Sequence, residues 1–187
     1  MNTKYEITDI AHPDNPDLRR IRALRDIEPY GVLKGDLGGY VESEHNLSDE
    51  GDCWIGGDAQ VFGAAEVSEH ARVTRGAMVS GNAVVYGRAQ VYGLAQVYEK
   101  AAISGNARVG GHARVGGDAV VTGNAHVYGG VLITGNARVF GDAHVTGTAQ
   151  VSENARVSGN AQVSKHAKVY GTASISGTAR VEYGNHT

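Results

Sequence analysis

From Ile55 onward the chain places a Val or Ile at every sixth position, through Val61, Val67 and Val73 to Ile175 and Val181, with no insertion. Two residues before each stands an alanine, except at Cys53 and Val131, and the residues before that are a turn pair, most often Gly-Asn or Gly-Asp. The repeating unit is G-N-A-x-V-x. Positions two apart face one side of an extended strand, so each hexad predicts a short strand with one small and one β-branched side chain turned inward. Glycine and asparagine before them suit a tight turn, because both tolerate positive φ. A six-residue period cannot be helical, and strands this short bury a core only by stacking on copies of themselves.

The first fifty residues lack this period. Lys4–Thr8, Arg19–Ile27 and Gly39–Ser43 are β-compatible runs, and His12-Pro13-Asp14-Asn15-Pro16-Asp17 reads as a turn between the first two. This predicts three parts: a capping segment at 1–50, the repeats at 51–183 and a short tail at 184–187. The cap is expected to cover the first coil. The last coil, followed only by Glu182 to Thr187, is expected to be open or to pair with a second subunit.

Residues 51–183 resemble the left-handed parallel β-helix built from hexapeptide repeats. That resemblance implies an all-β fold, a left-handed coil and three hexads per triangular turn of 18 residues. Twenty-two hexads then make about seven coils, stacked roughly 35 Å high at ~4.8 Å per coil. The entry into the repeats is more specific. Gly38, Gly39, Tyr40 and Val41, then Leu47 and Ser48, then Gly51, Cys53, Trp54 and Ile55 resemble the YdcK-like hexapeptide-repeat proteins of bacteria and phages. This resemblance implies a bacterial or phage origin and brings no activity with it.

Composition and charge narrow the rest. The net charge is −3, with the acids concentrated in the cap, so neither nucleic acid nor a DNA-like surface is indicated. A single cysteine, Cys53, excludes an internal disulfide and any Cys-x-x-Cys metal site. No apolar stretch has the length of a signal peptide core or a membrane span, which predicts a cytoplasmic protein without a membrane partner.

Candidate chemistry lies on the coil exterior. Hexapeptide β-helices are best known as acyltransferases, whose histidine base usually works beside a loop extruded from a coil, and no such loop interrupts these hexads. His70, His112 and His166 fall in the turn slot and read as polar turn residues. His126 and His144 lie 18 apart in the outward slot before an inward Val, so they are expected to stack. If the protein is an enzyme, those two with Arg108 are the catalytic candidates, in a site formed between subunits. Metal binding is not expected: no carboxylate column is predicted beside the pair, and the three-histidine zinc spacing of γ-class carbonic anhydrases is absent. No cofactor is expected.

The outward slot also holds Arg72, Arg108, Arg114, Arg138, Arg156, Lys168 and Arg180 against one acid, Glu66. Arg138 and Arg156 share a face and are candidates for binding an anionic ligand, and the arginine-bearing faces could alternatively bind nucleic acid; the plainer reading is a charge comb that keeps the faces soluble. On the same face Val84, Ala102 and Val120 form an apolar column with Tyr86 and Phe140 at its edge, which suits a subunit contact in a dimer or trimer, or a contact with another protein. Met78 and Leu132 share another face but are separated by Gln96 and Arg114. Threonines form no flat array of the kind that binds ice. The reading favoured by the sequence is a non-enzymatic structural or protein-binding homo-oligomer.

Overall fold

The computed structural model describes residues 2–187 and shows an all-β parallel solenoid of about 8 turns. Twenty-two two-residue strands, from Trp54–Ile55 to Arg180–Val181, follow one another at six-residue intervals. Each pairs in parallel with the strand 18 residues away, as in Gln90↔Arg108 and Val91↔Val109, so three hexads complete one turn. The strands therefore sort into three walls. The histidine wall carries Trp54, Arg72, Gln90, Arg108, His126, His144, Gln162 and Arg180 in its outward slots. The apolar wall carries Glu66, Val84, Ala102, Val120, Arg138, Arg156 and Ser174. The third, the cap wall, continues into the N-terminal strands.

Inside, the alanine and valine columns from Ala59 to Val169 are fully buried. The strand-flanking amides bond coil to coil, as when Gln90 donates to the Ala107 carbonyl and Tyr92 to that of Val109, both at 2.9 Å. At each corner the residue after the outward-turning position adopts positive φ, which a side chain enters at roughly 1–2 kcal/mol. Glycine holds most of these corners. Where glutamate does so, its carboxylate gives something back: Glu69, Glu99 and Glu153 accept the amide hydrogens of Gly87, Gly117 and Gly171 in the coil above.

The cap consists of β1 (Tyr5–Ala11), β2 (Arg19–Ala23) and β3 (Leu37–Val41), with β2 antiparallel to both its neighbours. Then β3 pairs in parallel with the strand Gln60–Val61, joining cap and solenoid in one sheet. The Gly38-Gly39 pair is required by this junction. A Cβ on Gly38 would lie 2.6 Å from the Ile21 side chain and from the Ile55 carbonyl, and one on Gly39 would lie 2.5 Å from the Ala59 carbonyl.

Two residues ahead of the unbroken repeat also stack on the coil. Val41 stacks on Val61 and Leu47 on Val67, so these two residues already belong to the first turn. The spacing Val41 to Leu47 is a hexad; the next interval, Leu47 to Ile55, is two residues longer and hides it. The extra length is organised by Lys4, which is fully buried and donates to the carbonyls of Ser48 and Glu50 and to Cys53 Sγ. Cys53 takes the inward alanine slot, and burial pushes its thiol above the usual value despite the nearby lysine. Asn46, also buried, closes the corner by donating to the carbonyls of Gly63 and Ala65 and accepting from the amides of Glu42 and Ser43.

At the opposite end, Asn185–His186 adds a short strand beside Lys168–Val169, while Ile175 is only partly buried and Ala179 is exposed. Among the described residues no helix is long and apolar enough to cross a membrane.

Candidate functional site

The register brings the two outward histidines together. His126 and His144 are paired across adjacent coils with ring centroids 4.9 Å apart, and Arg108 is the next rung below His126. His144 Nδ1 lies 2.9 Å from the Asp142 carbonyl, which can only accept, so Nδ1 carries the hydrogen and Nε2 is left as the basic nitrogen. The His126 imidazole titrates below its ordinary value, chiefly because burial disfavours the cation, with His144 and Arg108 adding repulsion and Asp142 opposing them. Asp142 is a single carboxylate near the pair, not a column of them. It is held by a ladder on the turn edge in which the Asn106 amide donates to Asn124 and the Asn124 amide to Asp142, at 3.0 and 2.9 Å. Among the described residues no group of three or more His, Cys, Asp or Glu is placed to hold a metal.

On the apolar wall, Val84, Ala102 and Val120 are consecutive rungs, followed by Arg138 and Arg156. The three apolar residues are partly exposed and both arginines exposed, and neither arginine has an ion-pair partner among the described residues. Tyr86 and Phe140, 38% and 37% exposed, edge the same stretch but stand three coils apart, with Ser104 and Thr122 hydrogen-bonded between them at 2.8 Å. What neighbours an aromatic in the coil above decides how far it lies down. Tyr92 and Tyr98 lie against Gly110 and Gly116, where an added Cβ would meet their rings at 2.4 and 2.3 Å. Tyr128, followed 18 residues later by Thr146, remains half exposed.

The hexads have no extruded loop, yet one wall is not bare. The cap segment after β2 crosses the start of the histidine wall. Tyr30 places its ring 5.0 Å from the Arg72 guanidinium and donates its hydroxyl hydrogen to the His70 carbonyl, while Arg25 bonds the Gly51 carbonyl at 3.0 Å. The hexads themselves are uninterrupted, and this shoulder comes from the cap. Beneath this shoulder lie Arg72, Arg75, Arg88 and Arg108 with Gln90 and Tyr92. Of these the sequence marked only Arg72 and Arg108, as members of a wider series. Arg75 was legible, because it stands in Thr74-Arg75-Gly76-Ala77 where a glycine usually opens the turn.

The YdcK beta solenoid repeat model matches residues 113–129 and 149–165. These segments start 36 residues apart, two full turns, so both fall on the same slots of the coil. No curated protein matches the chain.

Proposed function

Taking the chain as a YdcK-like β-solenoid protein, we propose that it is a non-enzymatic structural or protein-binding molecule that acts as a homodimer through its apolar wall. The observation that carries this reading is the run Glu66, Val84, Ala102, Val120, Arg138 on consecutive rungs. Three uncharged apolar residues fill the middle of a flat wall, an acid stands at one end and a base at the other. A second copy turned antiparallel about Ala102 sets apolar rung on apolar rung and brings Glu66 of each chain to Arg138 of the other. Such self-complementarity is what a two-fold interface needs. Tyr86 and Phe140 supply aromatic edges. A bacterial or phage cytoplasm is the setting that accompanies this proposal.

Size exclusion with light scattering tests it. The wild type is expected at twice the 19.6 kDa chain mass and Val120→Asp at the chain mass. Glu66→Arg should weaken the dimer, and Glu66→Arg with Arg138→Glu should restore it. A wild-type monomer, or a dimer indifferent to Val120→Asp, overturns the proposal.

A second reading, a transferase with His126 or His144 as base and Arg108 as anion partner, is favoured by one observation: His126 sits against His144 and Arg108 where burial and their charge disfavour its cation, as suits a general base. Acyl transfer lost in the double alanine variant of the histidines would favour it over the first.

A further inference from the structure

Five residues other than glycine occupy the left-handed corner slot: Glu69, Arg75, Glu99, Glu153 and Lys165. Four return a contact from it. The glutamates bind the amides of Gly87, Gly117 and Gly171, and Lys165 pairs with Glu182 at 2.5 Å. Arg75, at φ 65°, makes no side-chain hydrogen bond or ion pair among the described residues. A corner in the left-handed region whose side chain makes no hydrogen bond or ion pair points to a use outside the fold.

Arg75 lies on the rim of a depression of about 310 Å³ on the histidine wall, lined also by Arg72, Thr74, Gln90, Tyr92 and Arg108. Three guanidiniums line it and no acid does. Arg72 is fixed from the cap side by the Tyr30 ring, its Nε is buried with no hydrogen-bond partner, and among the described residues it forms no ion pair. Arg72 and Arg108 stand two rungs apart, roughly 9.6 Å along the wall, within the reach of two arginine side chains converging on one group between them. Tyr92, held against Gly110, forms an aromatic floor at the side. The depression runs on toward the cap past Trp54 to Val32, Asp36 and Leu37, which leaves room for more than a bare anion.

We propose that this depression binds a phosphate ester carrying a ring. The phosphate is held by the forks of Arg72 and Arg75, with Arg108 opposite and Thr74 and Gln90 as neutral partners, and the ring lies on Tyr92. Guanidinium forks match the paired oxygens of a phosphate, and three positive charges suit a dianion better than a single carboxylate.

Phenyl phosphate titrated into the full chain by calorimetry, with inorganic phosphate as the ringless probe, tests this; arginine Nε–H resonances report the site. Saturable binding is expected, tighter for phenyl phosphate, weakening with salt, and shifting the Arg72 and Arg75 resonances. Arg75→Gln and Arg108→Gln should each weaken it about tenfold, whereas Arg156→Gln on the apolar wall should not. Arg75→Gly suits the corner slot and should keep or raise the thermal midpoint while losing binding, so a lost signal cannot be put down to misfolding. Absence of saturable binding up to about 10 mM, or equal loss in Arg156→Gln, overturns the proposal. Arg75 and Arg108 lie off the apolar wall, so either proposal can fail without the other.

Discussion

Between Ala59 and Val169, the inward column of alanine and valine is fully buried on both the apolar wall and the histidine wall, and the ladder amides bond the coil above at nearly constant distance. Outside, the two diverge. Between Val84 and Val120 the apolar wall presents three uncharged rungs in the open. Between Arg72 and Arg108 the histidine wall presents arginine, glutamine and arginine beneath a shoulder of cap residues. A solenoid interior therefore does not constrain what its surface does. One scaffold can offer a flat face suited to a second copy and a sheltered basic face suited to a small anion, because outward slots carry almost none of the core's packing.

The largest break in that comparison should come from Gly38→Ala. A Cβ there collides with Ile21 and with the Ile55 carbonyl, and backbone cannot swing aside, so a loss of roughly 3 kcal/mol is expected in chemical denaturation. Hydrogen exchange should show protection lost in the cap and under its shoulder but kept at the ladder amides around Ile103 and Val121. A loss below about 1 kcal/mol would mean that the shoulder does not depend on this close approach.

The shared interior predicts equality. Val121→Ala behind the apolar wall and Val127→Ala behind the histidine wall should each cost about 2 kcal/mol, since both are fully buried in equivalent slots. A twofold difference in denaturation free energy would show that the walls differ inside as well as outside. Smaller again, Tyr30→Phe removes the hydroxyl bonded to the His70 carbonyl while sparing the ring over Arg72, and should cost about 1 kcal/mol without altering self-association.

The smallest effect concerns charge. Because the folded His126 binds its proton less readily than an unfolded histidine, it contributes a loss of stability as pH falls through the ordinary histidine value, where the unfolded chain takes up the proton first. His144→Gln should move the His126 titration, followed by NMR, part of the way back toward ordinary. The return is partial because burial, the leading cause, remains. An unmoved midpoint would remove His144 as a contributor.

Much of this could be read without coordinates. The walls of the solenoid, the stacking of His126 on His144 and the apolar run at Val84, Ala102 and Val120 all follow from counting in steps of six and 18, once three hexads are given to a turn. The first turn was hidden by only two extra residues between Leu47 and Ile55, although the Val41–Leu47 interval already kept the period. At the candidate sites, the residue types on each wall were legible and their surroundings were not. Asp142 looked like one more turn residue, and nothing near Tyr30 announced that it would cross to Arg72.

The sequence by itself determined the repeat, its inward columns and the order of side chains along each wall, because these depend on a local rule: alternate residues of a strand face opposite sides, and identical hexads stack only in register. Tertiary structure alone decided how the cap closes on the coil. Lys4 reaches Cys53 and the loop before it, and Tyr30 reaches His70 and Arg72, across about forty to fifty residues with no period to mark them. The basic depression under the shoulder belongs to that second class. Its arginines are spaced by the coil, but the contact that fixes Arg72 comes from a segment outside the repeat, and such contacts are set by shape and burial once the chain has folded back on itself.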